Sequence, residues 1–322
     1  RAFVVAANKV GPLVPPGMAE GVAAKLKIAP ERLHGAGESQ IVAPDGTVLA
    51  RAPESGEAVV VADIVVTDAD LKLRPDDTHV FRNRRPELYG PIAEEPQARS
   101  YVPKSDALNV AIYQPRADGP GAVDEVVAAL GALAPDVRLV VLPELFDQEN
   151  GAVADPAAAA AQGDATIATL QTALTGSDRI IVTSIVETGD NGFCHAGVAI
   201  GTEGVVLRQP QLHACGRHPW ASVLGDAVAT LDLDWGRLAI ITGGDTIYPE
   251  AFRLATLQDV EVVAAPTAVL EPWENEFGLA ERAAENRMTV VAASRASKGG
   301  VGMVAAPDKD FTLWTEWSRP FN

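Results

Sequence analysis

Residues 238–253 read LAIITGGDTIYPEAFR. An apolar run stops at two glycines, an aspartate follows, and Pro249-Glu250 opens an amphipathic segment. The pattern predicts a strand over Leu238–Thr242 that turns sharply into a helix over Pro249–Leu257. Proline stands in the first helical turn, where its missing N–H costs nothing. Ligands of open α/β sheets bind in the crevice outside the carboxyl ends of the strands, so a bend of this kind displays a side chain where chemistry happens. Here the bend displays glycine, Gly243. The sequence builds a platform for a reactive group and leaves the group out.

Working outward, β and α signals alternate on both sides of the bend. Leu108–Tyr113, Arg138–Leu142, Arg179–Ser184, Gly197–Gly201, Val260–Ala264 and Met288–Ala293 read as strands. Ala122–Leu133, Ala157–Leu174 and Glu274–Arg287 have helical spacing. Such alternation implies an α/β layered domain. In residues 1–90 the signals are mostly β: Phe3–Ala7, Ser39–Val42, Val48–Arg51 and Ala58–Val66.

The chain also echoes itself. RAFVVAANKV (1–10) matches RMTVVAASRA (287–296) at five of ten positions, and QIVAPDGTVLA (40–50) finds a shorter echo in MVAAPDKDFTL (303–313). The offset of about 286 residues is too long for a solenoid and argues for a tandem repeat. On this reading residues 1–90 are the closing part of a first copy, 91–106 a polar linker, and 107–322 a second copy without its own tail. The opening Arg1, in place of methionine, gives the sequence the look of a piece cut from something longer.

Composition narrows the function. The 322 residues are 47% hydrophobic, enough for a large core, and carry a net charge of −17. Phosphate binding depends on Lys and Arg, so nucleic acid is an unsuitable partner. No run approaches the roughly 18 apolar residues of a membrane span, and no secretory signal is visible. Two cysteines, Cys194 and Cys215, exclude a disulfide scaffold and suit a reducing cytoplasm.

Glu144, in VVLPELF, directly follows a buried strand. Apolar neighbours are expected to raise its pKa and suit it to general-base work; the plainer reading is a helix N-terminal glutamate. The order of pieces adds context. VLPELF, a strand pair ending VVLRQPQLH, LAIITGGDTIYPEAFR, RAAENRMTVVAAS and a Pro-Asp turn together resemble the nitrilase, or carbon–nitrogen hydrolase, superfamily. The likeness spans about 108–314. AANKVG, APDGTVLA and RNRRPELYG in 1–90 resemble that family's closing segments.

The resemblance implies a four-layer α-β-β-α sandwich and a Glu–Lys–Cys triad that hydrolyses nitriles, amides or carbamyl groups through a thioester-type intermediate. The glutamate takes the thiol proton, the lysine stabilises the oxyanion and the thiolate attacks. Carried over by position, Glu144 retains the glutamate, Gln209 stands where the lysine belongs and Gly243 where the cysteine belongs. Two of three catalytic positions are lost, and the three are expected to converge in one pocket. The resemblance implies no cofactor and no metal, small amide or nitrile substrates for the parent protein, and homo-oligomers or intramolecular pairing of the two copies.

Other groups flank the gap. Thr242 and Thr246 lack an evident base. Cys215, in His213-Ala-Cys215-Gly-Arg-His218, has three readings: a thiolate activated by histidine, a soft metal ligand of unusual spacing, or part of a solvent-facing loop. Cys194 reads as a small buried residue. Asp245 is expected to cap the helix at Pro249, Glu250 to pair with Arg253, and Arg82, Arg84 and Arg85 to lie on a solvated surface. Three functions follow. The first is a hydrolase with a retired second copy, the second a non-catalytic binding or structural module, and the third a hydrolase that uses Cys215.

Overall fold

The computed structural model describes residues 1–15, 17–95, 107–295 and 302–307. The described residues divide into two compact units, Arg1–Lys72 and Leu73–Pro307. The division falls between Lys72 and Leu73, so the segment 73–90 belongs to the second unit.

In the first unit β1 (Val4–Ala6) is followed by helix α1 (Ala19–Leu26), β2 (Gln40–Val42) and β3 (Val48–Arg51). The strands form an antiparallel sheet in the order β1-β2-β3. The strand expected at Ala58–Val66 is absent. Those residues enter no ladder, and a 3₁₀ turn covers Val66–Asp70. A β-prone sequence becomes a strand only where a neighbour accepts its hydrogen bonds.

The second unit runs β4 (Asn109–Ile112), α2 (Pro120–Ala132), β5 (Val137–Glu144), α3 (Pro156–Ala173), β6 (Ile180–Gly189), β7 (Gly192–Gly201), β8 (Gly204–Pro210), β9 (Thr230–Leu233), β10 (Gly236–Ile240), α4 (Pro249–Thr256), β11 (Val262–Pro266), α5 (Leu279–Asn286), β12 (Thr289–Ala293) and β13 (Met303–Ala305). Two five-stranded sheets result, β4-β5-β6-β7-β8 and β13-β12-β11-β10-β9.

Strand alternation sorts their side chains into layers. Leu139, Val141 and Val182 of the first sheet meet Leu238, Ile240, Ala264 and Val291 of the second in one core. The intervening residues face outward. Val140, Leu142, Ile181 and Val198 pack under α2 and α3, while Ala239, Val263, Ala265 and Val290 pack under α4 and α5. This is the expected α-β-β-α sandwich. The central strands read as continuous apolar runs because both of their faces are covered.

The helix starts are encoded locally. Asp155 caps α3, accepting from the amides of Ala157 (3.0 Å) and Ala158 (3.2 Å), with Pro156 in the first turn. The helix expected over Glu274–Arg287 is present as one unbroken helical stretch: a π-helical turn, Glu274–Gly278, runs directly into α5, which is capped by Arg287 in the left-handed region at φ 56°. No helix among the described residues is long and apolar enough to cross a membrane.

Candidate active site

Glu144 is the last residue of β5 and faces Ser184 across the parallel β5–β6 ladder. Its carboxylate is 3% exposed and is held on two sides. Arg217 Nη1 donates to Oε1 at 2.8 Å and Nη2 reaches Oε2 at 3.5 Å, while His218 Nε2 lies 3.0 Å from Oε1. Burial alone would push the carboxyl's pKa up. Arg217 and then His218 outweigh it and hold the group well below the usual carboxylate range. The expectation of a raised pKa at Glu144 is therefore corrected. Its neighbours are the Arg217 guanidinium and the His218 ring, supplied by a loop distant in sequence, and the apolar residues lie in the strand behind it.

The Gly243 bend arrives from the other sheet. β10 ends at Ile240, Thr242 is extended, and Gly243 opens a 3₁₀ turn, Gly243–Ile247, at φ 58°. A Cβ added at Gly243 would lie 3.3 Å from Glu144 Oε2, so the two positions are neighbours. The same Cβ would lie only 2.8 Å from His195 Cε1, closer than carbon atoms approach, so His195 occupies the space a side chain here would need.

His195 is fully buried in β7 and fixed at both nitrogens. Nδ1 meets Gln211 Oε1 at 2.6 Å and Nε2 meets Ser184 Oγ at 2.8 Å. Ser184 Oγ already accepts from the Leu145 amide, so its proton is free for Nε2, and the imidazole proton sits on Nδ1. Burial, with His218 beside it, pushes the His195 pKa down to about 3. The His195 and His218 rings meet edge-on at 4.3 Å, and Gln211 Oε1 also lies 3.2 Å from His218 Nδ1.

Ligand atoms of Glu144, His195 and His218 come within 4.8 Å of one another. This trio is the arrangement closest to a metal site among the described residues. The Arg217 guanidinium on Glu144 opposes a divalent cation there, and Gln211 and Ser184 already engage His195. The donor set does not fit a metal without displacing them.

With this geometry in view, the comparisons are specific. The sequence profile of the carbon-nitrogen hydrolase family matches residues 1–71 and 110–315. The chain belongs to this family. A curated relative, a nitrilase of Pyrococcus abyssi (strain GE5 / Orsay), is 25% identical over 182 residues, 53% of this chain and 69% of its own length. Among solved structures, an amidase from Nesterenkonia sp. is similar at 22% identity with a TM-score of 0.53, covering 62% of this chain and 79% of that one. A mutant of the Nesterenkonia sp. AN1 amidase is described with the acetamide moiety of fluoroacetamide covalently added at its active site cysteine. It is 19% identical with a TM-score of 0.53, over 64% of this chain and 82% of that one. At these identities the structural likeness carries the fold.

In this member of the family, the three positions assigned by resemblance are engaged differently. Glu144 and Gly243 are adjacent, but Gln209 makes no hydrogen bond to either. Its amide donates to the carbonyls of Pro210 (2.8 Å) and Ala227 (3.0 Å) and accepts from Ala229 N (2.7 Å). Gln211, two residues on, enters the cluster instead. Thr242 donates to Pro266 O and Thr246 to Gly243 O, so both hydroxyls serve the backbone.

Cys215 is buried and lies on the far side of the bend, 3.1 Å from a Cβ placed on Gly244. Its Sγ faces Asp76 Oδ2 at 3.4 Å and Thr78 Oγ1 at 3.9 Å, and burial pushes the thiol pKa up. Neither flanking histidine activates it. His213 is held by Asp245 Oδ1 (2.8 Å) and Tyr89 (2.7 Å), and His218 by Glu144. The solvent-loop reading of Cys215 is corrected by its burial.

Three further expectations are corrected. Asp245 does not cap α4, whose N-cap is Tyr248. Its carboxylate accepts from the amides of Leu212 (2.7 Å) and His213 (2.9 Å), latching the loop that carries Cys215 and Arg217. Glu250 pairs with Arg84, not Arg253. Arg84 and Arg85 are not free surface groups: Arg85 donates to Leu212 O (2.9 Å) and to Gly225 O. Only Arg82 of that cluster is exposed.

The residues that sequence reasoning missed are His195, Gln211 and Arg217. Arg217 lay inside the loop already singled out, but its cysteine and histidines drew the attention. Segment 73–89 was missed as a site element too. Asp76 sits against Arg217 Nε at 3.5 Å, and Arg74 forms buried ion pairs with Glu271 and Glu274.

Proposed function

We propose that this chain is part of a carbon–nitrogen hydrolase of the amidase or nitrilase type, and that the body formed by its second copy supports the assembly without performing cysteine-dependent hydrolysis. The observation that carries this reading is the surroundings of Gly243. No nucleophile stands at the bend, His195 fills the space of a side chain there, and the neighbouring carboxylate is ion-paired with Arg217 and held by His218.

A general base must be free to accept a proton at working pH. Glu144, ion-paired and far below its usual range, is not. Gln209 can offer no full positive charge to an oxyanion. Filling of the site by His195 and Arg217 favours the structural role over a retained amide pocket. Small amides or nitriles remain the substrate class of the parent protein, by analogy with the amidase relatives. Cys194 and Cys215, both unpaired, agree with a reducing cytoplasmic setting.

The test is hydrolysis of a panel of short amides and nitriles by the 322-residue chain, with and without Cys215→Ser. No turnover in either is expected. Hydrolysis by the unmodified chain that disappears in Cys215→Ser would overturn the proposal and move the chemistry to that thiol.

A further inference from the structure

We infer that Arg1–Lys72 is the closing section of a second carbon–nitrogen hydrolase body, and that the open edge of β1 is the seat of a parallel apolar strand of that body, the counterpart of β11. This rests on strand register and burial and is independent of the loss of catalysis proposed above.

The echo in the sequence aligns Val4-Val5-Ala6 with Val290-Val291-Ala292, and Gln40-Ile41-Val42 with Met303-Val304-Ala305. In the first unit Val4 pairs with Val42, Val5 with Ile41 and Ala6 with Gln40, antiparallel. In the second, Val290 pairs with Ala305, Val291 with Val304 and Ala292 with Met303, also antiparallel. Every aligned residue has the aligned partner. A slip of one residue would turn each side chain to the opposite face, so agreement throughout marks the same structural unit built twice.

The other edges differ. β12 pairs along all five of its residues with β11 in parallel, and Val290 and Val291 are 0% exposed. Among the described residues β1 pairs only with β2, and Val4 and Val5 are 51% and 72% exposed. The rest of the unit shows the same deficit. Ala23 and Leu33 are its only buried hydrophobics among the described residues, while Val59, Val61, Val65 and Val66 are exposed in one run. An apolar edge with unpaired backbone groups, on a unit without a core, is a surface that another body covers.

The counterpart identifies the occupant. Val290 is buried by α5 and its neighbours on one face, and Val291 by the opposing sheet on the other, so a lone strand would not suffice. A second copy of this chain offers no vacancy, because its β11 is already paired with its own β12. What fits is a body equivalent to residues 107–286, complete up to the strand that β1 replaces.

Placing a duplicate of residues 107–286 directly ahead of Arg1 supplies that body, since Asn286 followed by Arg1 reproduces the Asn286-Arg287 junction. Amide hydrogen exchange at residues 4–6 is compared with that of the 322-residue chain. Exchange there should slow by about a hundredfold or more, toward that of 290–292. Unchanged exchange at 4–6, with the strands of the added body protected, overturns the inference. So does protection of 4–6 in the 322-residue chain that rises with protein concentration, which would make a second copy the occupant. A graft covers failure of the duplicate to fold: residues 1–9 replace 287–295 in the full chain. Strand protection in the second unit should persist within about tenfold, and its loss equally overturns the inference.

Discussion

The strand pair β1–β2 and the strand pair β12–β13 are built from similar residues in the same register, yet β1 is exposed along its length and β12 is buried. Val5 and Val291 occupy the same place in their strand pairs. Only Val291 has a parallel neighbour beside it and a packed layer on each face of its sheet. The strand pairing thus recurs wherever the same apolar segments recur, and the burial of its first strand is a property of the surrounding body. A Val-rich strand contributes stability in proportion to the area it removes from water, roughly 25 cal/mol per Å², and in the first unit that contribution is mostly unrealised.

The largest test of this contrast is a charge at the matched positions. Val291→Asp buries a carboxylate between the two sheets and should cost about 4 kcal/mol or more, whereas Val5→Asp should stay within about 0.5 kcal/mol. Urea unfolding of the two variants measures both, and equal costs would erase the distinction between the strand pairs.

A smaller effect concerns pH, and it is confined to the second unit. His195, pushed by burial from 6.5 to about 3, binds its proton more readily when unfolded, so its contribution to stability is lost as pH falls from about 6.5. Asp147, raised by burial from 3.8 to about 6, keeps its proton when folded, so its contribution is lost as pH rises toward 6. Each slope is about 1.4 kcal/mol per pH unit, and between pH 4 and 6 they oppose. The wild-type chain should therefore change little there. Stability of Asp147→Asn should rise with pH across that window, and that of His195→Gln should fall. Urea midpoints at pH 4, 5 and 6 check the signs, and parallel profiles for the two variants would refute the assignment.

The smallest expected effect is at the bend itself. Gly243→Cys with Gln209→Lys, which rebuilds the triad on paper, should give no measurable amide hydrolysis. The new Cβ meets His195, a non-glycine residue at φ 58° adds roughly 1 kcal/mol of strain, and position 209 faces the backbone of 227–229. Turnover by this pair alone would show that the site has drifted less than its contacts indicate. Thiol alkylation of the same variant, with and without His195→Ala, separates steric blockage from loss of activation.

The residues themselves determined a good deal. Continuous apolar runs ending in Pro143-Glu144 and in Thr242-Gly243 marked central strands covered on both faces, and the motifs along them pointed to the sandwich and its family. Asp155-Pro156 fixed the start of α3 by hydrogen bonds within one turn. The internal echo pointed to a tandem repeat. These are local signals, carried by periodicity and by neighbours in the chain.

Only the tertiary structure decided what happens at the site. Arg217 reaches Glu144 across 73 positions, Asp76 reaches Cys215 across 139 and Asp245 reaches His213 across 32. No window of sequence contains such pairs. The direction of a buried carboxylate's pKa depends on which charges the fold brings within hydrogen-bond distance, since burial alone pushes it the other way. For the same reason Asp245 became a latch instead of a cap. The amides of Leu212 and His213, delivered by another part of the chain, donate to it, and a buried carboxylate takes the donors that surround it.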